Sequence, residues 1–380
     1  MNYSIFCCYR HHTTSLAKQE IKKPLNVLED IYQRRSLESF KKDLWEFFWI
    51  IYRDQLWKKK GAAYFYSIYM DLIRLTDALW LINTYQPELS SRRDNHQSTS
   101  KLMNIFNQVF DGRRKHNQKI EKNNQETNLD KFYNSNCIAI TKIDIYNCLQ
   151  VGLNASYMRT DKYEYLGLRE SNVINIFLDL EKLIKEGQNI LNKSKTQAKK
   201  PGYKRKHLRF ASDVDYPSML NSESIIDPLT YITDLYQYDL IFEQIADSIK
   251  IWEKSFYEKN FWLKADSPGN ILYLVACLKR LIDSIWLLMQ IDIIRANKKL
   301  TNSKKKLYPS LSEEELNSPL LVIKSFFEHK KLHEWKHQLD EWTNISLSYT
   351  ETVKTEDIAK TSTSLQQLLK FIEATHLLTN

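Results

Sequence analysis

A chain of 380 residues with only 7 glycines and 8 prolines does not suit folds built on many tight turns or on glycine-lined ligand loops. Hydrophobic residues make up 43% and aromatics 12%, which is enough for a core and too much for general disorder. The formal charge of +9, from 55 Lys+Arg against 46 Asp+Glu, points to anionic partners: nucleic acid, a membrane surface or an acidic protein.

The length suits two or three domains. The first 24 residues read as an extension. The stretch MNYSIFCCYRHH lacks the long apolar run of a secretory signal, and adjacent Cys7 and Cys8 could accept palmitate. The five cysteines, at 7, 8, 137, 148 and 277, form no CxxC or zinc-type spacing. That usage fits a reducing, cytosolic setting and a cytoplasmic location.

Further along, Trp45, Trp49, Tyr52 and Leu56 fall at helical spacing and predict an aromatic core face. The apolar stretch 62–82 follows, broken by Asp71, Arg74 and Asp77. Residues 90–101 and 117–130 read as polar loops. Val173, Phe177, Leu180, Ile184 and Leu191 predict a helix over 170–192, with Ser171 as its N-cap. Residues 193–229 read as an exposed linker, broken by Pro201-Gly202. Ile241, Ile245, Ile249 and Trp252 mark another helix. The apolar stretch 271–294 carries Lys279, Arg280, Asp283 and Asp292. Central charges of this kind are costly in a spanning helix, so both apolar stretches read as buried core helices. Ser312 and Glu315 have capping-box spacing, and Ser318-Pro319 places a cap and a first-turn proline before an apolar run. No segment alternates with period two. The expected fold is all-α, in helical bundles.

The chain also repeats itself in order. Asp30-Ile31-Tyr32-Gln33 returns as Asp234-Leu235-Tyr236-Gln237, and the nine residues from Arg74 to Ile82 return from Arg280 to Leu288. Phe110-Asp111, with two following bases and His116, is answered by Phe327-Glu328, Lys330-Lys331 and His333. Asn154–Tyr157 is answered by Glu373–His376. Such a period is too long for a solenoid. The expectation is two related helical bundles, at 25–158 and 230–380, joined over 159–229 by a helix and a basic linker.

Three groups of residues could carry chemistry. Arg74/Asp77 and Arg280/Asp283 stand at i, i+3 in apolar helices, either as structural ion pairs or as a polar core site. His329, His333 and His337 are candidate metal ligands at i, i+4, i+8, but two such steps drift around a helix too far for all three to face one ion. Residues 193–209 hold eight bases and no acid, so the rest of the chain carries 9 − 8 = +1. Within that run Lys199, Lys200, Tyr203, Lys204, Arg205, Lys206 and Arg209 could bind phosphates and stack on bases.

The absences are also informative. There is no phosphate loop, no GxGxxG and no GxSxG. Arg92/His96 and Arg113/His116 miss the spacing of a helical ribonuclease. Trp335 and Trp342, beside charged residues, are candidate partner contacts. The resulting expectation is a non-enzymatic binding or adaptor protein without cofactor. It would engage DNA, RNA or another polyanion through the basic linker, and its bundles would hold protein partners or a second copy. The alternatives are a helical nuclease or metal-dependent hydrolase, and a purely structural interaction protein.

Overall fold

The structure, a computed structural model, describes residues 15–53, 56–85, 129, 132–133, 138–154, 170–198, 219–220, 224–225, 227–240, 242–265, 267–290, 307–348 and 357–379. Among them every regular element is a helix and no strand occurs, so the fold is all-α. No helix of the described residues is long and apolar enough to cross a membrane. Residues 62–82 and 271–290 are instead helical and lined with buried side chains; residues 291–294 of the second apolar stretch lie outside the described residues.

In chain order the helices are α1 (Lys18–Lys22), α2 (Pro24–Arg34), α3 (Leu37–Tyr52), α4 (Leu56–Lys60), α5 (Ala62–Tyr85), α6 (Ile138–Leu153), α7 (Glu170–Ala198) and α8 (Pro228–Asp234), which runs into a π-turn at Leu235–Asp239. Then come α9 (Phe242–Tyr257), α10 (Phe261–Ala265), α11 (Gly269–Gln290), α12 (Glu313–Asn317), α13 (Pro319–His329), α14 (Leu332–Leu347) and α15 (Ile358–Thr379).

Local chemistry sets many of these boundaries. Proline occupies the first turn of α2, α8 and α13, where its missing N–H leaves no helical bond unmade. Glu20 accepts from the Ala17 N–H at 2.8 Å, and Glu315 accepts from the Ser312 N–H at 2.8 Å. The Ser312 hydroxyl in turn accepts from the Glu315 N–H, completing the expected capping box. Gly61 closes α4 at φ 93°, its N–H bonded to the Trp57 carbonyl at 2.7 Å. That left-handed conformation is one that glycine adopts without strain.

Two compact units are present. The first holds the described residues of 1–44, 71–145 and 174–212; the second holds those of 45–70, 146–173 and 213–380. In the first unit Leu28 and Ile31 of α2, Leu72, Leu75 and Leu79 of α5, and Leu180 and Ile184 of α7 are fully buried. The Tyr32 hydroxyl donates to the Ile184 carbonyl at 2.5 Å. In the second unit α11 packs on α8 and α14, α9 packs on α14, and α13 packs on α15. Its densest aromatic packing joins Trp252, Phe256 and Trp342, with Phe326 stacked on both Trp335 and Phe371.

Three expectations change here. Trp45 is 52% exposed, because α3 carries two aromatic stripes and the core takes the one made by Phe40, Leu44, Phe47 and Ile51. Trp335 and Trp342, expected as partner contacts, are 0% and 1% exposed and belong to the core. Finally, α7 begins at Glu170 and runs to Ala198. Ser171 is therefore inside the helix rather than its cap, and Lys193 and Lys195 are helical.

Trp335→Ala is expected to cost about 3–5 kcal/mol in denaturant unfolding, and Trp45→Ala well under half of that, since only the first vacates a closed core.

Candidate functional site

Among the described charges that interrupt the apolar helices, Asp71, Arg74, Asp77, Lys279 and Asp283 are engaged in ion pairs, but neither Arg74–Asp77 nor Arg280–Asp283 pairs as expected. In the first unit Arg74 on α5 binds Glu20, Asp30 at 2.9 Å and Asp71 at 3.7 Å. Arg34 binds Asp71 at 2.8 Å and Asp30 at 2.9 Å. Arg35 binds Asp71 at 2.9 Å and Asp43. Three guanidiniums thus tie α1, α2 and α3 to α5. Asp71, 2% exposed, is the hub, and it accepts from Arg34 and Arg35. Burial works against the Asp30 carboxylate, but hydrogen bonds from Arg34 and Arg74 hold its pKa below the ordinary value.

Asp77 looks the other way. It is 0% exposed and binds Lys142 of α6 at 2.8 Å. It also accepts from the Ser15 N–H at 3.4 Å and from the Ser15 hydroxyl. Asp283 of α11 repeats this arrangement inside the second unit. It is 0% exposed, pairs with Lys336 of α14 at 2.6 Å and accepts from the Met219 N–H at 2.7 Å. Burial raises its pKa, and Lys336 pulls the value part of the way back. Glu373 on α15 accepts from the Ser310 N–H at 2.9 Å. In all three cases an acid on a long helix receives the backbone of a segment 62, 64 or 63 residues earlier.

Also in the second unit, Lys279 binds Asp340 at 2.5 Å, and Tyr66 donates to the same carboxylate at 2.9 Å. Arg280 lies beside Tyr231, Cys277, Tyr146 and Asp239. A cavity of about 220 Å³ opens between α13 and α15, over Val322 and Phe326, with Ser325, Gln367 and the Lys370–Glu315 pair on its walls.

The three histidines do not share one helix. His329 ends α13, Lys330 is extended (φ −143°, ψ 142°), and His333 and His337 lie on α14. The break is chemical: Glu334 accepts from the Lys331 N–H at 2.7 Å and starts a new helix there. His337 is 72% exposed and meets Glu341 at 3.3 Å. Among the described residues no group of His, Cys, Asp and Glu gathers to hold a metal ion.

Lys199, Lys200, Tyr203, Lys204, Arg205, Lys206 and Arg209 lie outside the described residues. So do Arg92/His96, Arg113/His116, the stretch at Phe110 and residues 155–157. Sequence reasoning missed Lys142, Lys336, Glu20, Arg34 and Arg35 as partners of the interrupting charges. Only Glu20 carried a local signal, three residues after Ala17 where a capping acid falls.

Asp283→Ala would leave Lys336 buried without its counter-charge and is expected to cost about 3–5 kcal/mol. The double substitution Asp283→Leu with Lys336→Met should recover most of that loss in urea unfolding. A second test concerns Asp144 on α6, whose pKa burial raises to about 6. Its folded value exceeds its unfolded one, so its contribution to stability is complete only below the unfolded value of 3.8 and is lost as pH rises from there through about 6. Asp144→Asn should therefore raise the melting temperature at pH 7.5 and have its smallest effect below the unfolded value.

No protein-family model matches this chain, and no curated protein or solved structure matches it either.

Proposed function

We propose that this chain is a non-enzymatic, cytoplasmic adaptor that engages nucleic acid or another polyanion through residues 193–209, while its helical units hold protein partners. The observation that carries this reading is the placement of charge. Eight of the nine net positive charges fall in 17 residues without an acid. That run starts on the last turns of α7, where Lys193 and Lys195 sit. Buried acids of the helices are answered by cations from other helices, as at Asp71, Asp77 and Asp283. Phosphates binding the run would release counterions and gain affinity with little sequence preference. For protein partners, α3 offers Trp45, Trp49 and Tyr52 in edge contact, with Arg53 4.6 Å over the Trp49 ring. Aromatics and arginine are the residues in which binding energy concentrates.

We infer further that the units are built from one repeated block that occurs three times rather than twice. The helices α1, α2 and α3 have 5, 11 and 16 residues, as do α12, α13 and α14. The register between them is constant: 313 − 18, 319 − 24 and 332 − 37 each equal 295. Phe40, Leu44 and Phe47 are answered by the buried Trp335, Leu339 and Trp342. The middle block runs from α8 to α11. Pro228 answers Pro24, Trp262 answers Trp57, and Ile245, Ile249 and Trp252 answer the same core stripe. On this reading Glu373 pairs with Asp77 (373 − 77 = 296), not with Asn154.

The test is binding of the full-length protein to single- and double-stranded DNA and RNA at 50 and 200 mM salt. The comparison is a variant in which Lys199, Lys200, Lys204, Arg205, Lys206 and Arg209 become glutamine, which spares α7. Binding should weaken at least tenfold in the variant, with a shallower salt dependence. Equal binding by the two proteins, or none at 50 mM salt, would remove the polyanion reading.

A further inference from the structure

We propose that Arg280 is the centre of an oxyanion site that receives the carboxylate or phosphate group of a small solvent-borne molecule. The argument begins with its counter-charges. Among the described residues no carboxylate oxygen lies within 4.0 Å of its guanidinium. The contrast with Arg74 is sharp: on the three-block reading, on which this comparison rests, α5 and α11 align at 280 − 74 = 206. Arg74 has Glu20, Asp30 and Asp71, and Lys370 in the third block has Glu315 at 2.7 Å. At the positions of Glu20 and Asp71 the middle block has Ser224 and Cys277 (224 − 20 = 204, 277 − 71 = 206). Both are buried and neither is an acid.

The remaining surroundings supply little charge. Burial pushes the Cys277 thiol up to about 12 and raises both Tyr146 and Tyr231; Tyr231 takes a hydrogen bond from Arg280, which occupies part of the fork but brings no negative charge at pH 7. Tyr146 spends its hydroxyl proton on the Leu272 carbonyl. Asp239 acts on Arg280 through space and accepts from Tyr273. The adjacent Lys279 is neutralised by Asp340 and does not share the load.

A largely buried guanidinium offers up to five N–H donors in a planar fork, and here it lacks the acids that answer the same position elsewhere in the chain. A carboxylate or phosphate matches that fork with two parallel hydrogen bonds. Arg280 keeps partial exposure, so a terminal group can reach it, while an enclosed fork of this kind does not suit a polymer backbone lying across a surface. The site rests on residues of the second unit alone and stands whether or not residues 193–209 bind nucleic acid.

The experiment uses the full-length protein, with melting temperature and titration calorimetry read in sodium phosphate and in sodium acetate, each against sodium chloride at matched ionic strength. At least one oxyanion should stabilise saturably where chloride does not. A response to phosphate alone or to acetate alone assigns the group. Arg280→Gln should lose the effect at least tenfold in affinity while keeping its melting temperature in chloride, whereas Arg74→Gln should lower it by stranding Glu20 and Asp30. Arg280→Lys keeps the charge without the fork and should weaken binding severalfold. Identical midpoints in all three salts would overturn the proposal, as would a saturable effect that survives in Arg280→Gln. If that variant does not fold, unchanged affinity in Arg280→Lys overturns it.

Discussion

A carboxylate inside a long apolar helix must find a cation and hydrogen-bond donors or give up its charge, and much of this architecture follows from that requirement. Asp77 and Asp283 are 0% exposed. Each is met by a lysine from another helix and by a backbone N–H from a segment 62 or 64 residues earlier. Desolvating such an acid costs several kcal/mol, so a helix that contains one is poorly placed anywhere except against its partners. The acid therefore specifies position in a way that interchangeable leucines and isoleucines do not. Glu373 keeps the backbone half of the arrangement through Ser310, and burial raises its pKa.

The same requirement explains how much of the fold the sequence disclosed. Helices were legible because their apolar spacing is local, and the starts at Pro24, Pro228 and Pro319 were legible because proline acts on its own turn. Asp71, Arg74 and Asp77 stood out as charges in an apolar run, and their burial was a fair expectation. Their partners were not legible. Lys142 lies 65 residues from Asp77, and Arg35 lies 36 residues from Asp71. No periodicity connects such positions, and the spacing of three that joins Arg74 to Asp77 suggested a pairing that longer-range contacts displaced.

The tryptophans failed for a different reason. On α3 both Phe40–Leu44–Phe47–Ile51 and Trp45–Trp49–Tyr52 satisfy helical spacing, and spacing alone does not say which stripe faces inward. On the proposed three-block reading, the register of 295 aligns the buried Trp335 and Trp342 with the buried Phe40 and Phe47, which is consistent with the exposure of Trp45.

That comparison also bears on function. On the proposed three-block reading, a repeated block first inherits its packing, and the stripe at positions 40, 44 and 47 is matched by aromatic or branched residues in the other two blocks. Its polar network is free to change once another contact holds the helix in place. In the first block three arginines and four acids close on one another. In the third, Ser325 and Gln367 stand at the positions of Asp30 and Asp71, and both line a cavity beside Lys370. In the middle block the acids give way to Ser224 and Cys277 while the arginine remains. Asp283 and Lys336 tie α11 to α14, and on our proposal Arg280 is left for recognition. Departures from the shared network, rather than the network itself, are where these blocks differ in chemistry.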